Sequence, residues 1–262
     1  MKKAMSFILA VMMMCALCTT TSFAATPATQ QTLTLSTDPA VIAEKLMKSE
    51  AGEILVQSAG TSTNEKMQVR RIVQSYVDAV STTSSTPNVK ASIVKSGTDA
   101  EMTRFRLVAD ETTYTEEELA ALSAAAGKTV RSINNFVCGK LEYDHEAANG
   151  PLTQTSTQAT AKGALTTGKA ICMGYANAFC VLAEQAGIQS IKVRGDMEDG
   201  EYHVVNMVLS GDELLVVDVT GNDSGNSARF LLITMEKYTE MTGFIPNIDV
   251  EVAFNLKYGA DN

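Results

Sequence analysis

The chain contains no tryptophan and only two histidines among its 262 residues. A site built on imidazole can therefore use only His145 or His203. The sequence also lacks a long apolar run after its first residues. Because a membrane-spanning helix needs about 20 apolar residues, we predict no integral membrane segment in the mature chain. Aliphatic residues are nevertheless abundant, which is typical of a folded protein and not of a disordered one.

The first 25 residues predict a secretory signal peptide. Lys2 and Lys3 give it a positive start, residues 7–17 form an apolar stretch, and Ser22-Phe23-Ala24 is a small-residue cleavage site. Because the apolar stretch is too short to cross a bilayer, we expect cleavage and not retention as an anchor. The mature protein, about 237 residues long, would then be secreted or extracytoplasmic.

Basic residues are scarce relative to acidic ones. The chain has 21 lysines and arginines against 30 aspartates and glutamates, a formal net charge of −9 that loss of Lys2 and Lys3 takes to −11. A surface of this sign repels nucleic acid and anionic lipid, so we expect neither as a partner. The expected partners are protein or peptide substrates, among which cell-wall peptide is one that an exported protein would meet.

Three cysteines remain after the signal is removed, and these are Cys138, Cys172 and Cys180. Since three is odd, at least one thiol stays free. Cys172 and Cys180 would lie about 12 Å apart along one helix, which is too far for a disulfide, so any bridge would involve Cys138. The alternative is that Cys138 and Cys180 are small buried apolar residues. The spacings of the cysteines and histidines match no familiar zinc pattern, so we predict no metal and no cofactor.

Patterning divides the mature chain into an N-terminal α+β region (residues 26–112) and a larger domain (residues 113–262). In the first part we predict helices that begin at Asp38-Pro39 and at about residue 64, followed by a hairpin. The predicted hairpin strands are residues 89–95 and 102–108.

In the larger domain, a capping box at Thr115–Glu118 begins a long helix that is interrupted near Gly127. Residues 145–167 are predicted to form a surface loop, and a helix over about residues 171–186 follows. The predicted strands after it are residues 188–193, 202–209, 213–219 and 229–233.

The hairpin near Ser210-Gly211 predicts which side chains face each other. Counting outward from that turn places His203 directly opposite Asp218, on one face of the sheet. Asn206 falls on the other face, where we expect a structural role.

Cys172 lies where a loop with Gly168 and Gly174 opens a helix. Amides of the first turn and the helix dipole favour the thiolate, and the amide of Cys172 could donate to an oxyanion. The glycines would let the backbone approach a substrate closely. With His203 as the base and Asp218 to orient it, the pattern predicts nucleophilic catalysis, although each residue alone would more often be structural.

These segments resemble the transglutaminase-like superfamily, which has a papain-like fold. The resemblance covers residues 129–223, in five blocks that follow the family's order. The blocks are residues 133–144, 162–176, 187–195, 203–206 and 217–223. It implies an α+β fold in which a nucleophile-bearing helix packs on an antiparallel sheet, preceded here by a small α+β N-terminal region. It also implies that Cys172 is the nucleophile, that His203 is the general base and acid, and that Asp218 orients the imidazole.

The sequence departs from the family at two positions. Members of the family often have tryptophan at the positions that Val205 and Gly221 occupy here. A more open or differently shaped cleft is therefore expected. The side chain that assists the oxyanion stays open among Gln154, Gln158 and Tyr143.

The activity that the resemblance implies is formation of a thioester with a peptide or protein acyl group. We favour hydrolysis, as in a peptidase or amidase, over transfer to an amine, because nothing in the sequence resembles the calcium sites or accessory domains of large crosslinking enzymes. The alternative is a noncatalytic protein-binding module that retains the fold.

Overall fold

The computed structural model describes residues 33–81, 87–95, 101–108, 114–150, 156–224 and 228–259. The predicted signal peptide and Gln154 lie outside the described residues. From Thr32 to the end, the chain folds as one compact unit. No helix within the described ranges is long and apolar enough to cross a membrane.

The N-terminal region folds into two helices and a three-stranded antiparallel sheet. Its elements are α1 (Pro39–Met47), β1 (Glu53–Gln57), α2 (Thr63–Val80), β2 (Asn88–Lys95) and β3 (Glu101–Val108). The side chain of Asp38 caps α1, and Ser62 with Glu65 forms a capping box on α2. Both predicted helices and the predicted hairpin are confirmed. The additional strand β1 pairs with β3, which gives the order β1-β3-β2.

The middle of the chain is more helical than predicted. Its elements are α3 (Glu116–Ala126), α4 (Val130–Lys140), β4 (Glu142–Tyr143), α5 (His145–Ala148), α6 (Ala161–Thr167) and β5 (Lys169–Ala170). The capping box of Thr115 and Glu118 is confirmed, and Gly127, with φ 79°, ends α3 where the interruption was expected. The prediction of a surface loop over residues 145–167 is wrong in its described parts, because Asp144 and Thr160 cap two short helices, the second of which packs into the core.

The C-terminal part carries the main sheet. Its elements are α7 (Cys172–Gln185), β6 (Ser190–Asp196), β7 (Tyr202–Ser210), β8 (Glu213–Val217), α8 (Val219–Asp223), β9 (Leu231–Ile233), α9 (Met235–Thr242), β10 (Ile245–Pro246) and α10 (Val250–Tyr258). The strands are antiparallel in the order β10-β6-β7-β8-β9.

Helices cover both faces of this sheet. Helix α7, which is buried from Cys172 to Ala183, packs on one face with Val208 and Val217. On the other face, Val205, Met207 and Val216 share a hydrophobic core with residues of α1, α2 and α10. The α+β fold with the cysteine-bearing helix on an antiparallel sheet is therefore confirmed.

The register of the β7–β8 hairpin differs from the prediction by two residues. Ser210 pairs with Glu213 across the loop Gly211-Asp212, and Asn206 pairs with Val217. The loop begins at Gly211 because a two-residue hairpin loop needs a positive φ, which is 64° here. The prediction that Asp218 lies directly opposite His203 in the ladder is therefore wrong. Since side chains alternate, a shift of two residues preserves the face on which each side chain lies.

A close backbone contact explains the glycine in the cysteine helix. A 3-10 turn at Thr157–Ala159 crosses α7, where a Cβ on Gly174 would clash with the carbonyl oxygen of Gln158. Asn177 ties the same turn down, since its Nδ2 donates to the carbonyl of Ala159 at 2.7 Å. The space beside Gly174 is thus filled by protein backbone and is not open to a substrate, contrary to expectation.

We predict that Gly174→Ala destabilises the protein by about 1–3 kcal/mol, because the new Cβ must displace the turn over α7. Gly139→Ala is the matched control, since Gly139 also lies in a helix but a Cβ added there would meet no neighbouring atom within 4 Å. That control should be neutral or stabilising by up to about 1 kcal/mol. Urea unfolding measures both, and equal effects would contradict the packing argument.

Candidate active site

Cys172 is the first residue of α7 and is almost completely buried. Two contacts fix the chain that leads into it. The short parallel pair β4–β5 sets Tyr143 beside Ala170, and Ile171 N donates to the carbonyl of Gln158 at 3.0 Å. Because the N-cap residue Ile171 has an apolar side chain, it cannot cap the first-turn amides itself, and these donors point toward whatever binds at the helix start.

His203 lies near the start of β7 and bridges the thiol and the carboxylate. Its Nε2 lies 3.2 Å from Oδ2 of Asp218, which leaves Nδ1 for Cys172, the other hydrogen-bond partner of the ring. Burial lowers the pKa of His203, but the charge and hydrogen bond of Asp218, together with Cys172, outweigh it and raise that pKa to about 10. The ring is therefore an imidazolium over the neutral range.

Asp218 leaves the end of β8 and becomes the N-cap of α8. Its Oδ1 accepts from Gly221 N at 2.9 Å, and its Oδ2 accepts from the hydroxyl of Tyr238 at 2.7 Å as well as facing His203. Burial raises the pKa of this carboxyl group, but His203 and the hydrogen bonds more than offset burial and keep the pKa below its ordinary value. The carboxylate is thus held charged in an almost dry position.

Two asparagines support the backbone around Asp218. Asn222 Nδ2 donates to Oδ1 of Asn134 on α4 at 2.8 Å, while Asn222 Oδ1 accepts from Phe230 N at 2.7 Å. The carbonyl of Phe230 in turn accepts from Asp218 N at 3.0 Å. This closed set of bonds fixes α8 between α4 and the segment before β9, and so fixes the position from which Asp218 reaches His203.

Aromatic rings pack around the His203–Asp218 pair even though the chain has no tryptophan. The Phe244 ring meets His203 edge-on at 6.4 Å between centroids, and Tyr238 lies edge-on to Phe244 at 5.5 Å and to Phe230 at 5.4 Å. Gly195, which pairs with His203, leaves the space for Phe244, because a Cβ there would clash with that ring. The cleft that the missing tryptophans predict to be more open or differently shaped is therefore lined by other aromatic rings on this side of the site.

A cavity of about 400 Å³ opens beside Cys172. Its lining is Tyr143, Ala148, Asn149, Ala159, Ile171, Cys172, Met173, Arg194, Glu201 and Tyr202. The lining includes one basic residue, Arg194, and one acidic residue, Glu201. Arg194 stacks over the Tyr202 ring at 5.3 Å and pairs with the fully buried Asp78 of α2. The N-terminal region thus helps to hold a residue that lines the cavity.

The three residues predicted as candidates to assist the oxyanion differ in their positions relative to the cavity. Tyr143 lines the cavity together with Cys172, and burial raises the pKa of its hydroxyl to about 12, so that it stays a donor. Gln158 uses its backbone carbonyl to hold Ile171, and its side chain is not part of the cavity lining. Gln154 lies outside the described residues.

Cys138 and Cys180 are not part of the cavity lining, although Cys138 Sγ lies 3.6 Å from the carbonyl oxygen of Val219, the residue after Asp218. Cys138, Cys172 and Cys180 are all free thiols in the structure. Burial raises the pKa of Cys138 to about 12, and Cys180 accepts from Nδ2 of Asn206 at 3.1 Å. Asn206 also donates to the carbonyl of Ala176, which joins β7 to α7. Within the described ranges, no cluster of His, Cys, Asp and Glu side chains could hold a metal ion.

Sequence reasoning missed Arg194, Glu201, Tyr202 and Tyr238. Glu201 and Tyr202 directly precede His203 along the chain, so their proximity to it was a usable signal. Arg194 lies on β6, where it pairs with Val204. Tyr238 lies on a different helix, α9, and no spacing pattern links it to Asp218 before the fold is known.

Comparison with known proteins identifies one family. Residues 112–219 match the sequence pattern of the Transglutaminase-like superfamily. No curated protein matches the chain in sequence.

Two solved structures are similar over part of the chain. One is the crystal structure of a TGase, at 18% identity and a TM-score of 0.35, covering 73% of this chain and 56% of the other. The second is a Cytophaga hutchinsonii protein provisionally assigned as a cysteine protease, at 13% identity and a TM-score of 0.33, covering 60% and 70%. The chain thus spans just over half the length of that TGase, and at these TM-scores the likeness supports no functional argument.

The raised pKa of His203 predicts an unusual titration. In a His145→Gln background, which leaves a single histidine, the ring resonances of His203 should keep their imidazolium positions through pH 8 and titrate with a pKa of about 10. Asp218→Asn removes the largest charge that holds the proton, so the midpoint should move toward the ordinary 6.5. Two-dimensional NMR of the ring nitrogens measures both midpoints.

Stability provides the check on that titration. Because the folded pKa of His203 lies above its unfolded value, its contribution is fully present below about pH 6.5 and is lost as pH rises through about 10. Unfolding of His203→Gln at several pH values should therefore converge on the parent protein in the alkaline range. A parent midpoint near 6.5 would contradict the buried ion pair.

Proposed function

We propose that this chain, whose residues 112–219 match the Transglutaminase-like superfamily, is an exported cysteine enzyme that attacks peptide or protein amides through Cys172. The observation that supports the proposal is the position of His203, which contacts Asp218 at 3.2 Å and hydrogen-bonds Cys172. The proposal of export rests on residues 1–25 alone. Cell-wall peptide is the substrate that this location favours.

In the first half of the proposed reaction, the thiolate of Cys172 attacks the carbonyl carbon of the amide. The backbone amide of Cys172 and the hydroxyl of Tyr143 donate to the oxyanion that forms. His203 gives the proton on Nδ1 to the leaving nitrogen, the C–N bond breaks, and the products are a thioester on Cys172 and a free amine. Asp218 holds the Nε2 proton throughout and keeps the ring aimed at the sulfur.

In the second half, an acceptor attacks the thioester. His203 removes a proton from the acceptor, and the sulfur leaves as the thiolate that the first half requires. Water yields a carboxylic acid, whereas a lysine amine yields an isopeptide bond. We propose hydrolysis, because Arg194 and Glu201 line the cavity beside Cys172. Charged side chains attract water, whereas efficient transfer to an amine needs water to be excluded from the thioester.

A single assay distinguishes the two acceptors. The mature protein is incubated with casein and a fluorescent primary amine, and we expect casein fragments or newly formed carboxylates without fluorescent conjugates. Cys172→Ala should abolish the reaction, and Cys138→Ala, which removes a thiol that is not part of the cavity lining, should leave it unchanged. Fluorescent conjugates as the main product would contradict hydrolysis.

Thiol labelling tests the site without any choice of substrate. At pH 7, we expect iodoacetamide to modify Cys172 at least about tenfold faster than Cys138, because burial holds Cys138 as a thiol while Cys172 pairs with an imidazolium. His203→Ala should slow labelling of Cys172 by a similar factor. Peptide mass spectrometry resolves the sites. Equal rates at the two cysteines, together with no effect of His203→Ala, would favour a noncatalytic module that retains the fold.

A further inference from the structure

Tyr238 contacts the carboxylate that steadies His203. It lies on α9, its side chain is fully buried, and its hydroxyl donates to Oδ2 of Asp218 at 2.7 Å. The same oxygen faces Nε2 of His203. We infer that Tyr238 is a positioning residue of the active site, whose hydroxyl holds Asp218 ionised and turned toward His203, an inference that rests on the proposed function.

The surroundings of Tyr238 leave its hydroxyl little freedom. The ring is held edge-on between Phe230 and Phe244. The helix that carries it is closed at its end by Thr242, whose hydroxyl donates to the carbonyl of Tyr238 at 2.8 Å. Thr239 also donates to the carbonyl of Phe244 at 2.9 Å, which fixes the turn after α9. The donor is therefore already in place before any substrate binds.

The chemistry at Asp218 explains why such a donor matters. A buried carboxylate without sufficient donors takes up a proton, and a protonated Asp218 would no longer attract the proton of His203. Gly221 N supplies one hydrogen bond, at Oδ1. Tyr238 supplies the second donor at Oδ2, so rotation of the carboxyl group away from His203 would break a buried hydrogen bond at each oxygen.

This contact extends the active site beyond the part of the chain that matches the family. Residues 112–219 contain Cys172, His203 and Asp218, but Tyr238 and Phe244 follow that stretch. The later segment thus completes the shell of the His203–Asp218 pair. It also packs beside Gly221, since a Cβ added there would clash with the ring of Phe230.

The test is Tyr238→Phe, which removes the hydroxyl and keeps the ring. In the His145→Gln background, the ring resonances of His203 report protonation of Asp218 on the acid side. We expect the acid-side midpoint to lie about one pH unit higher in Tyr238→Phe than in the parent, since a hydrogen bond to a charged group is lost. The matched control is Tyr175→Phe, which removes a buried tyrosine hydroxyl that bonds Asp223 at 2.6 Å instead. That control should leave the midpoint unchanged.

Two further measurements test the role of the Tyr238 hydroxyl independently. Replacing Tyr238 with 3-fluorotyrosine keeps the side chain and makes the hydroxyl a stronger donor, so the acid-side midpoint should stay at or below that of the parent, even if Tyr238→Phe fails to fold. In a double-mutant cycle, Tyr238→Phe should slow iodoacetamide labelling of Cys172 in the parent but not in Asp218→Asn, because the hydroxyl acts through the carboxylate. A purely structural role would slow both.

An unchanged midpoint in Tyr238→Phe, or a raised midpoint with 3-fluorotyrosine, would overturn the inference. Neither NMR readout depends on turnover. A protein that shows the expected midpoints but cleaves no amide therefore contradicts the proposed function alone. A protein that cleaves amides but shows no response of the midpoint contradicts only the role of Tyr238.

Discussion

The buried ion pair between His203 and Asp218 is the constraint on which the rest of the site depends. A carboxylate that is almost fully buried is costly unless charge and hydrogen bonds compensate it. Here the compensation comes from three elements that are distant in sequence: His203 on β7, Gly221 on α8 and Tyr238 on α9. If one of these partners is removed, the buried charge of Asp218 is no longer fully compensated and its desolvation destabilises the fold. The three elements must therefore keep their relative positions.

This constraint links stability to chemistry. The charge that Asp218 must neutralise is the imidazolium of His203, and that imidazolium hydrogen-bonds Cys172. The same ion pair therefore also supports the state of the ring that the proposed nucleophilic attack requires. The buried pair of Asp78 and Arg194 connects the N-terminal region to the site, since it joins a residue of α2 to a residue of β6 that lines the cavity. The front of the chain is thus part of the site's scaffold.

Local patterns in the sequence predicted much of the fold. Capping residues located the starts of α1 and α3, and the glycine after α7 located its end, because these signals act within a few residues. The segment before Cys172 was predicted as a loop, since alanine, glycine, threonine and glutamine leave little periodicity there, yet Asp144 and Thr160 cap helices in it. The resemblance to a family added the grouping of Cys172, His203 and Asp218, which alternation alone could only suggest.

What the sequence could not supply was the outcome of long-range contacts. The hairpin register was off by two residues because only the fold decides which residue takes the positive φ. The error left the side chains of β7 and β8 on the predicted faces, since two residues complete one repeat of a strand. Asp218 reaches His203 from beyond the ladder, as a helix cap. The missing tryptophans led to the expectation of a more open or differently shaped cleft. The same space in a fold can be filled by aromatic rings from different positions of the sequence. Here the rings are those of Phe230, Tyr238 and Phe244, which follow the predicted triad along the chain.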